Sequence, residues 1–180
     1  AAEKVGRLSV SADVGALQSP TYLPSLPAPL AGAQCALMKD TLYVAGGAAG
    51  NLKMYALNVS AVASTWTAVD GPAVASLGEL TSLAGQTNGM FTTFTEATGD
   101  RMFRWAADTG WVEKQRVPGN IVNASVRPAG QAHVLYFVRA GESGAPKLLA
   151  FHTITGSWAT LGDPGATGFR HATGVNLKRS

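Results

Sequence analysis

Arg170 and His171 stand side by side in "GFRHATGV". A histidine can shuttle a proton near neutral pH, and an arginine can hold a carboxylate in a bidentate grip. Gln34, in "AGAQCALM", adds an amide that could orient a ligand. The other chemistry-bearing types are sparse. His133, His152 and His171 lie on different segments without a His-x-x-x-His spacing, so no metal site is expected. Cys35 is alone, which excludes an internal disulfide and a cysteine-based metal centre; in an apolar run it reads as a small buried hydrophobe. "GGAAGN" lacks the Lys-Ser/Thr of a phosphate loop and leads into a strand. No Gly-x-Ser-x-Gly nucleophile elbow occurs, and no cofactor is expected. "NVS" at 58–60 and "NAS" at 123–125 match the glycosylation acceptor, which matters only in a secreted eukaryotic chain.

These residues need a frame, and the tryptophans outline one. Trp66, Trp111 and Trp158 recur at a period near 46 residues. Each ends a similar phrase, "MYALNVSAVASTW", "FRWAADTGW" and "LLAFHTITGSW", and each phrase places an aromatic ahead of it: Tyr55, Trp105 and Phe151. Tyr43, Phe91 and Tyr136 repeat with nearly the same spacing, inside short apolar strands that follow polar turns. Self-similarity at this period means stacked units. In the first unit four β segments are expected at roughly 31–38, 41–46, 52–58 and 65–69, rich in Val, Tyr, Leu, Thr and Trp and bounded by Gly, Asp, Asn and Pro. No segment carries a helical apolar stripe, and "NVSAVAST" reads as a connecting loop. Four antiparallel strands repeated in this way predict an all-β propeller, one unit per blade. Gly46-Gly47 directly after a strand implies that something approaches the backbone closely, and the expectation is that the Tyr55 and Trp66 rings lie over it.

The totals agree with a folded domain. Of 180 residues 46% are hydrophobic and 14% charged, against a disordered chain. The net charge of +3 is too small and too scattered for a nucleic-acid partner. No apolar run approaches the roughly 18 residues of a membrane helix, so no membrane segment is expected. "AAEKVGRL" shows neither an apolar leader nor an initiator Met, which reads as a removed leader or an excised piece.

The strand–diglycine–Tyr–Trp order resembles the Kelch repeat over about residues 20–180, most closely in the first unit. The match decays in the second, where "TFTEATG" replaces the diglycine, and is partial in the third, at "RAG". The phrases "LPSLPAPLAGA…DTLYVAGG" and "LLAFHTITGSW…GDP" are similar to the cyclically permuted Kelch subfamily that includes N-acetylneuraminate (sialic acid) mutarotases; similar Kelch domains are fused to sodium/solute symporters. The resemblance implies a Kelch-type β-propeller of four-stranded antiparallel blades, here partial: outer strands of a preceding blade at 1–24, blades at 25–72, 73–119 and 120–164, and the first strand of a further blade at 165–180. The missing blades of the parent propeller are then partners of this chain. Alternatively, the two end pieces pair into a fourth blade and close a small ring.

The implied chemistry is anomer interconversion of an acidic sugar, which requires a general acid/base at the anomeric centre and ring oxygen. The family's Glu/Arg phrase, "GE-x-x-PG-x-R", follows the inner strand that begins here at "RHATGV", and the chain stops before it. No catalytic residue is carried over, and Glu142 in "AGESGAP" reads as a solvated turn residue. Arg170, His171 and Gln34 are the candidate substrate-binding residues at the channel. Trp105, aligned with Tyr55 and Phe151, is expected in the core. The resemblance suggests a periplasmic or extracellular site. The competing reading is a non-catalytic Kelch binding module for a small molecule or protein ligand, in one form the soluble domain of a solute transporter.

Overall fold

A computed structural model describes residues 6–7, 21–86, 88–120, 129–131, 133–139 and 146–162, the first pair and 129–131 by backbone alone. Among them every regular element is a strand. The short pair β1 (Gly6–Arg7) and β2 (Thr21–Tyr22) runs antiparallel, as a hairpin over 5–23 would. The first full sheet is β3 (Gln34–Met38), β4 (Thr41–Gly46), β5 (Lys53–Asn58) and β6 (Thr67–Val69). The second is β7 (Leu80–Gln86), β8 (Gly89–Phe94), β9 (Arg101–Ala106) and β10 (Gly110–Lys114). The third is β11 (Ala129–Gln131), β12 (Val134–Arg139), β13 (Lys147–His152) and β14 (Ser157–Gly162). Each sheet is a four-stranded antiparallel meander in chain order. The first strands lie side by side, β3 against β7 and β7 against β11, so the three sheets are blades set around a common axis, an arc of a β-propeller.

Register explains the wedge shape. The aromatics of the second strands, Tyr43, Phe91 and Tyr136, each oppose an alanine on the first: Ala36, Ala84 and Ala129. A small residue near the axis and a large one farther out fit a taper. The middle blade is covered on both flanks, and β8 is buried along its whole length. A strand covered on both faces needs an unbroken apolar or hydroxyl-bearing run rather than alternation.

The aromatic repeat joins blade to blade. Tyr43 of the first blade meets Trp105 of the second at 5.4 Å between ring centroids, and Phe91 of the second meets Phe151 of the third at 5.9 Å. The tryptophans do the same with their indole N–H groups. Trp66 Nε1 donates to the carbonyl of Pro24 at 2.7 Å, Trp111 Nε1 to that of Asp70 at 2.7 Å, and Trp158 Nε1 to that of Gln115 at 3.2 Å. Asp70 directly follows β6 and Gln115 directly follows β10, the last strands of the preceding blades. Pro24 lies two residues past the end of β2. A buried indole usually finds such a partner because its one donor cannot be left without an acceptor.

Three expectations change. A Cβ on Gly46 would meet the Ala31 carbonyl oxygen at 2.8 Å, and one on Gly47 the Asn51 carbonyl oxygen at 2.2 Å. The diglycine therefore admits neighbouring backbone, with Gly47 at φ 123° donating its N–H to Ala31, rather than making room for the Tyr55 and Trp66 rings. Tyr55 is not the counterpart of Trp105 and Phe151. Trp105 opposes Met90 and Phe151 opposes Leu135, and the residue that so opposes Leu42 is Leu57. Tyr55 lies two residues earlier and packs with Leu26, Leu30 and Trp66. Cys35 is exposed rather than buried. Strand alternation sends Gln34 and Ala36 toward the second blade and Cys35 to the opposite side.

Candidate functional site

The second blade carries polar chemistry at both ends. At the end formed by the β8–β9 loop and the start of β7 lies a buried carboxylate, Asp100, with no exposed surface. Its Oδ2 accepts the Thr81 hydroxyl at 2.9 Å and its Oδ1 the Asn120 Nδ2 at 3.0 Å. The Thr93 hydroxyl links Thr81 at 2.6 Å and Ser82 at 2.5 Å. Asn120 Nδ2 also donates to the Glu96 carbonyl at 2.7 Å. The Asp100 backbone bonds both ways, its N–H to Gly119 and its carbonyl from Val117. A carboxyl group taken out of water needs such a shell, since its oxygens have lost their hydration. This network crosslinks the inner strand, the second strand and the exit of the fourth, and it holds Asp100 away from solvent.

Gln34 joins the same junction from the first blade. It is 2% exposed; its Nε2 donates to the Thr81 carbonyl at 3.0 Å, and its Oε1 accepts the Leu83 N–H at 3.1 Å. Both ends of the amide are thus bonded to the β7 backbone. Outside the network, Arg116 and Glu96 form an ion pair, and Arg101 grips Glu113 in a fork at 2.9 and 2.8 Å. That fork holds the Glu113 carboxyl below the usual carboxylate range.

The opposite end is open. There the turns between first and second strands meet those between third and fourth. A groove of about 400 Å³ runs between the second and third blades, with Arg104 and Lys114 on one side and His133 and Thr153 on the other. Gln86 and Asn88 add amides, and no acidic residue lines it among the described residues. Arg104 donates from Nη2 to the Asn88 carbonyl at 2.8 Å. The guanidinium lies against Gly89, where a Cβ would come within 2.9 Å of its Nε. A second groove, about 600 Å³, runs between the first and second blades and shares Arg104, with Lys39, Asp108 and Tyr43 around it. Burial pushes the Tyr43 phenol above its ordinary range. The His133 and His152 rings stand 6.5 Å apart, and no cluster of three metal-capable side chains occurs among the described residues. In the first groove, cations and amides with no competing carboxylate among the described residues suit an anionic oxygen ligand.

Of the sequence candidates, Gln34 lies at the buried end, and Arg170, His171 and Glu142 fall outside the described residues. Trp105 packs on Tyr43, as a core residue does. Arg104 and Lys114 were missed. A column-by-column reading of the repeat would have found the first: β9 Arg104 opposes Phe91, where Ala56 opposes Tyr43 and Ala150 opposes Tyr136.

No protein-family model and no curated protein matches this sequence. Solved structures do match in fold. YjhT superposes with a TM-score of 0.59 at 16% identity, over 79% of this chain and 54% of that one. The AtxE2 isopeptidase superposes in a ligand-bound variant with a TM-score of 0.52 and in its apo form with 0.50, each at 16% identity, over 88% of this chain and 25% of that one. The chain thus spans about half the length of the first and a quarter of the second. The architecture is that of a partial β-propeller of four-stranded antiparallel blades, and no helix among the described residues is long and apolar enough to cross a membrane.

Proposed function

We propose that this chain is part of a sialic-acid mutarotase-like Kelch propeller, a lineage that interconverts the anomers of an acidic sugar, and that these blades contribute binding and framework rather than the ring-opening acid–base pair. The observation that carries the acidic-ligand reading is the groove between the second and third blades, where Arg104, Lys114 and His133 converge with no opposing carboxylate among the described residues. The fold likeness to YjhT and the Kelch phrases agree with it.

A non-catalytic binding module is the second reading, and the groove between the second and third blades favours it, since no described acid lines it. Asp100 is spent inside the fold, Glu113 and Glu96 are each paired with an arginine, and Asp108 lies by the other groove, between the first and second blades. A general acid must reach the atom it protonates, within about 2.6–3.2 Å or through one water.

Proton NMR of anomer exchange in N-acetylneuraminate separates the two. The chain alone is expected to leave the exchange rate at its value in buffer. A parent reading frame that continues past Ser180 into a strand, a Gly-Glu and then an Arg within about eight residues is expected to accelerate it. A parent with that phrase and no acceleration would sink the isomerase reading; a parent that continues into long apolar spans would favour the transporter-domain form of the binding module.

A further inference from the structure

We infer that the groove between the second and third blades is a binding site for a monosaccharide-sized organic acid, with Arg104 as its anchor. The inference rests on the acidic-sugar reading only in the choice of a sugar acid as ligand, and it requires no ring-opening chemistry.

The argument begins with a paired exchange in the repeat. Where Arg104 opposes Phe91, the sister blades place Ala56 and Ala150. Where β8 begins with Gly89, the sister strands begin with Thr41 and Val134. A small residue has become large and a β-branched one has become glycine, and the two new residues touch, Gly89 leaving the room in which the Arg104 guanidinium lies. Two complementary departures at neighbouring positions make a built pocket rather than a stray surface charge.

Capping alone does not call for the arginine's charge. In the first blade the turn carbonyl of Asp40 accepts the Val59 N–H, and in the third that of His133 accepts the Thr153 N–H, both from backbone. In the second blade Arg104 caps Asn88 with one N–H. A guanidinium has five, in a planar fork that matches a carboxylate. No carboxylate among the described residues forms an ion pair with Arg104, whereas Arg101 and Arg116 each have one. Lys114 and His133 place further donors around the same groove, and its volume, about 400 Å³, is in the range of small-ligand sites. The Asn88 amide suits the hydroxyl groups of a sugar acid, as does the Thr153 hydroxyl oxygen, which can accept while it donates to the His133 carbonyl at 3.1 Å. The site lies in a seam between blades and reaches the end of the inner strand β7 at Gln86.

The test is a ¹H–¹⁵N NMR titration of the full chain with glucuronate, its neutral methyl ester and inorganic phosphate. Glucuronate is expected to shift the amides of Asn88, Gly89, His133 and Thr153, the ester to bind at least about tenfold more weakly, and Arg104→Ala to weaken glucuronate by about tenfold or more. Ala is the residue of both sister blades, so the variant should fold; Lys114→Ala, with a severalfold loss, is the second check. Unmoved groove amides, equal binding of acid and ester, or unchanged affinity in Arg104→Ala would each overturn the site. Phosphate binding tighter than glucuronate would overturn the ligand class. Glucuronate binding in a parent protein that leaves N-acetylneuraminate exchange unaccelerated would keep the site and sink the isomerase reading; accelerated exchange with silent groove amides would do the reverse.

Discussion

The two ends of the second blade use polar residues in opposite ways. At one end Asp100 has no exposed surface and both its oxygens are bonded, through Thr81 and Asn120, into a junction that Gln34 extends to the first blade. At the other, Arg104 sits half-buried beside a groove, with one bond to a carbonyl and Lys114 and His133 as neighbours. The difference teaches that burial alone does not mark a site. A charge whose hydrogen-bonding capacity is used up within the fold stabilises a junction, whereas a charge with donors left over beside open space can bind something else.

The largest test strikes the buried end. Asp100→Ala strips the acceptor from Thr81 and Asn120 and should cost about 3–5 kcal/mol in urea unfolding. A loss below about 1 kcal/mol would mean that the junction is not held by this network. Next is the corresponding corner of the first blade, where Gly47 does by backbone approach what Asp100 does by bonding. Gly47→Ala forces a Cβ to 2.2 Å from the Asn51 oxygen at φ 123° and should cost about 3 kcal/mol, read as a lowered melting temperature.

A smaller effect of opposite sign comes from β8, where adjacent threonines differ. The Thr93 hydroxyl is bonded twice, while the Thr92 hydroxyl is buried with no partner among the described residues. Thr92→Val, nearly isosteric and matching Val44 in the first blade's register, should stabilise by about 1 kcal/mol. At the open end, Arg104→Ala should leave the urea midpoint nearly unchanged, within about 0.5 kcal/mol, because a half-exposed cap contributes little. A large loss there would erase the contrast between the ends.

A comparably small effect is a pH dependence. Glu113 is held charged by Arg101, so its folded pKa lies below its unfolded one. The stabilisation is present above the unfolded value, about 4.3, and is lost as pH falls below it through the folded value. The pair is solvent-exposed and screened, so the contribution is within about 0.2–1 kcal/mol. Glu113→Gln should flatten the acid limb of a stability-versus-pH curve by no more than that.

Much of the fold could be read from residue order. The strands expected at 31–38, 41–46, 52–58 and 65–69 stand at 34–38, 41–46, 53–58 and 67–69, because two-residue turns and the Gly, Asp and Asn punctuation fix where a strand must stop. The aromatic period was legible as well, but its purpose was not. Tyr43 with Trp105 and Phe91 with Phe151 are contacts between units, and a repeat read along one chain suggests contacts within a unit. Tyr55 was aligned by its ring, whereas register aligns Leu57; in an antiparallel pair a shift of two keeps the face and changes the neighbour.

The sequence by itself determined the unit: its length, its four strands, its turns and the recurrence of Trp66, Trp111 and Trp158, all of which depend on residues near one another in the chain. Only the tertiary structure decided what each polar residue does. Asp100 and Arg104 lie four residues apart, flanking and within one strand, and their pattern in the chain does not distinguish them. Whether a charge is bonded or open depends on which side chains arrive from other strands and other blades, Thr81 and Asn120 at one end and Lys114 and His133 at the other. That arrival is set by the packing of wedge-shaped sheets about an axis, a long-range property that no local pattern encodes.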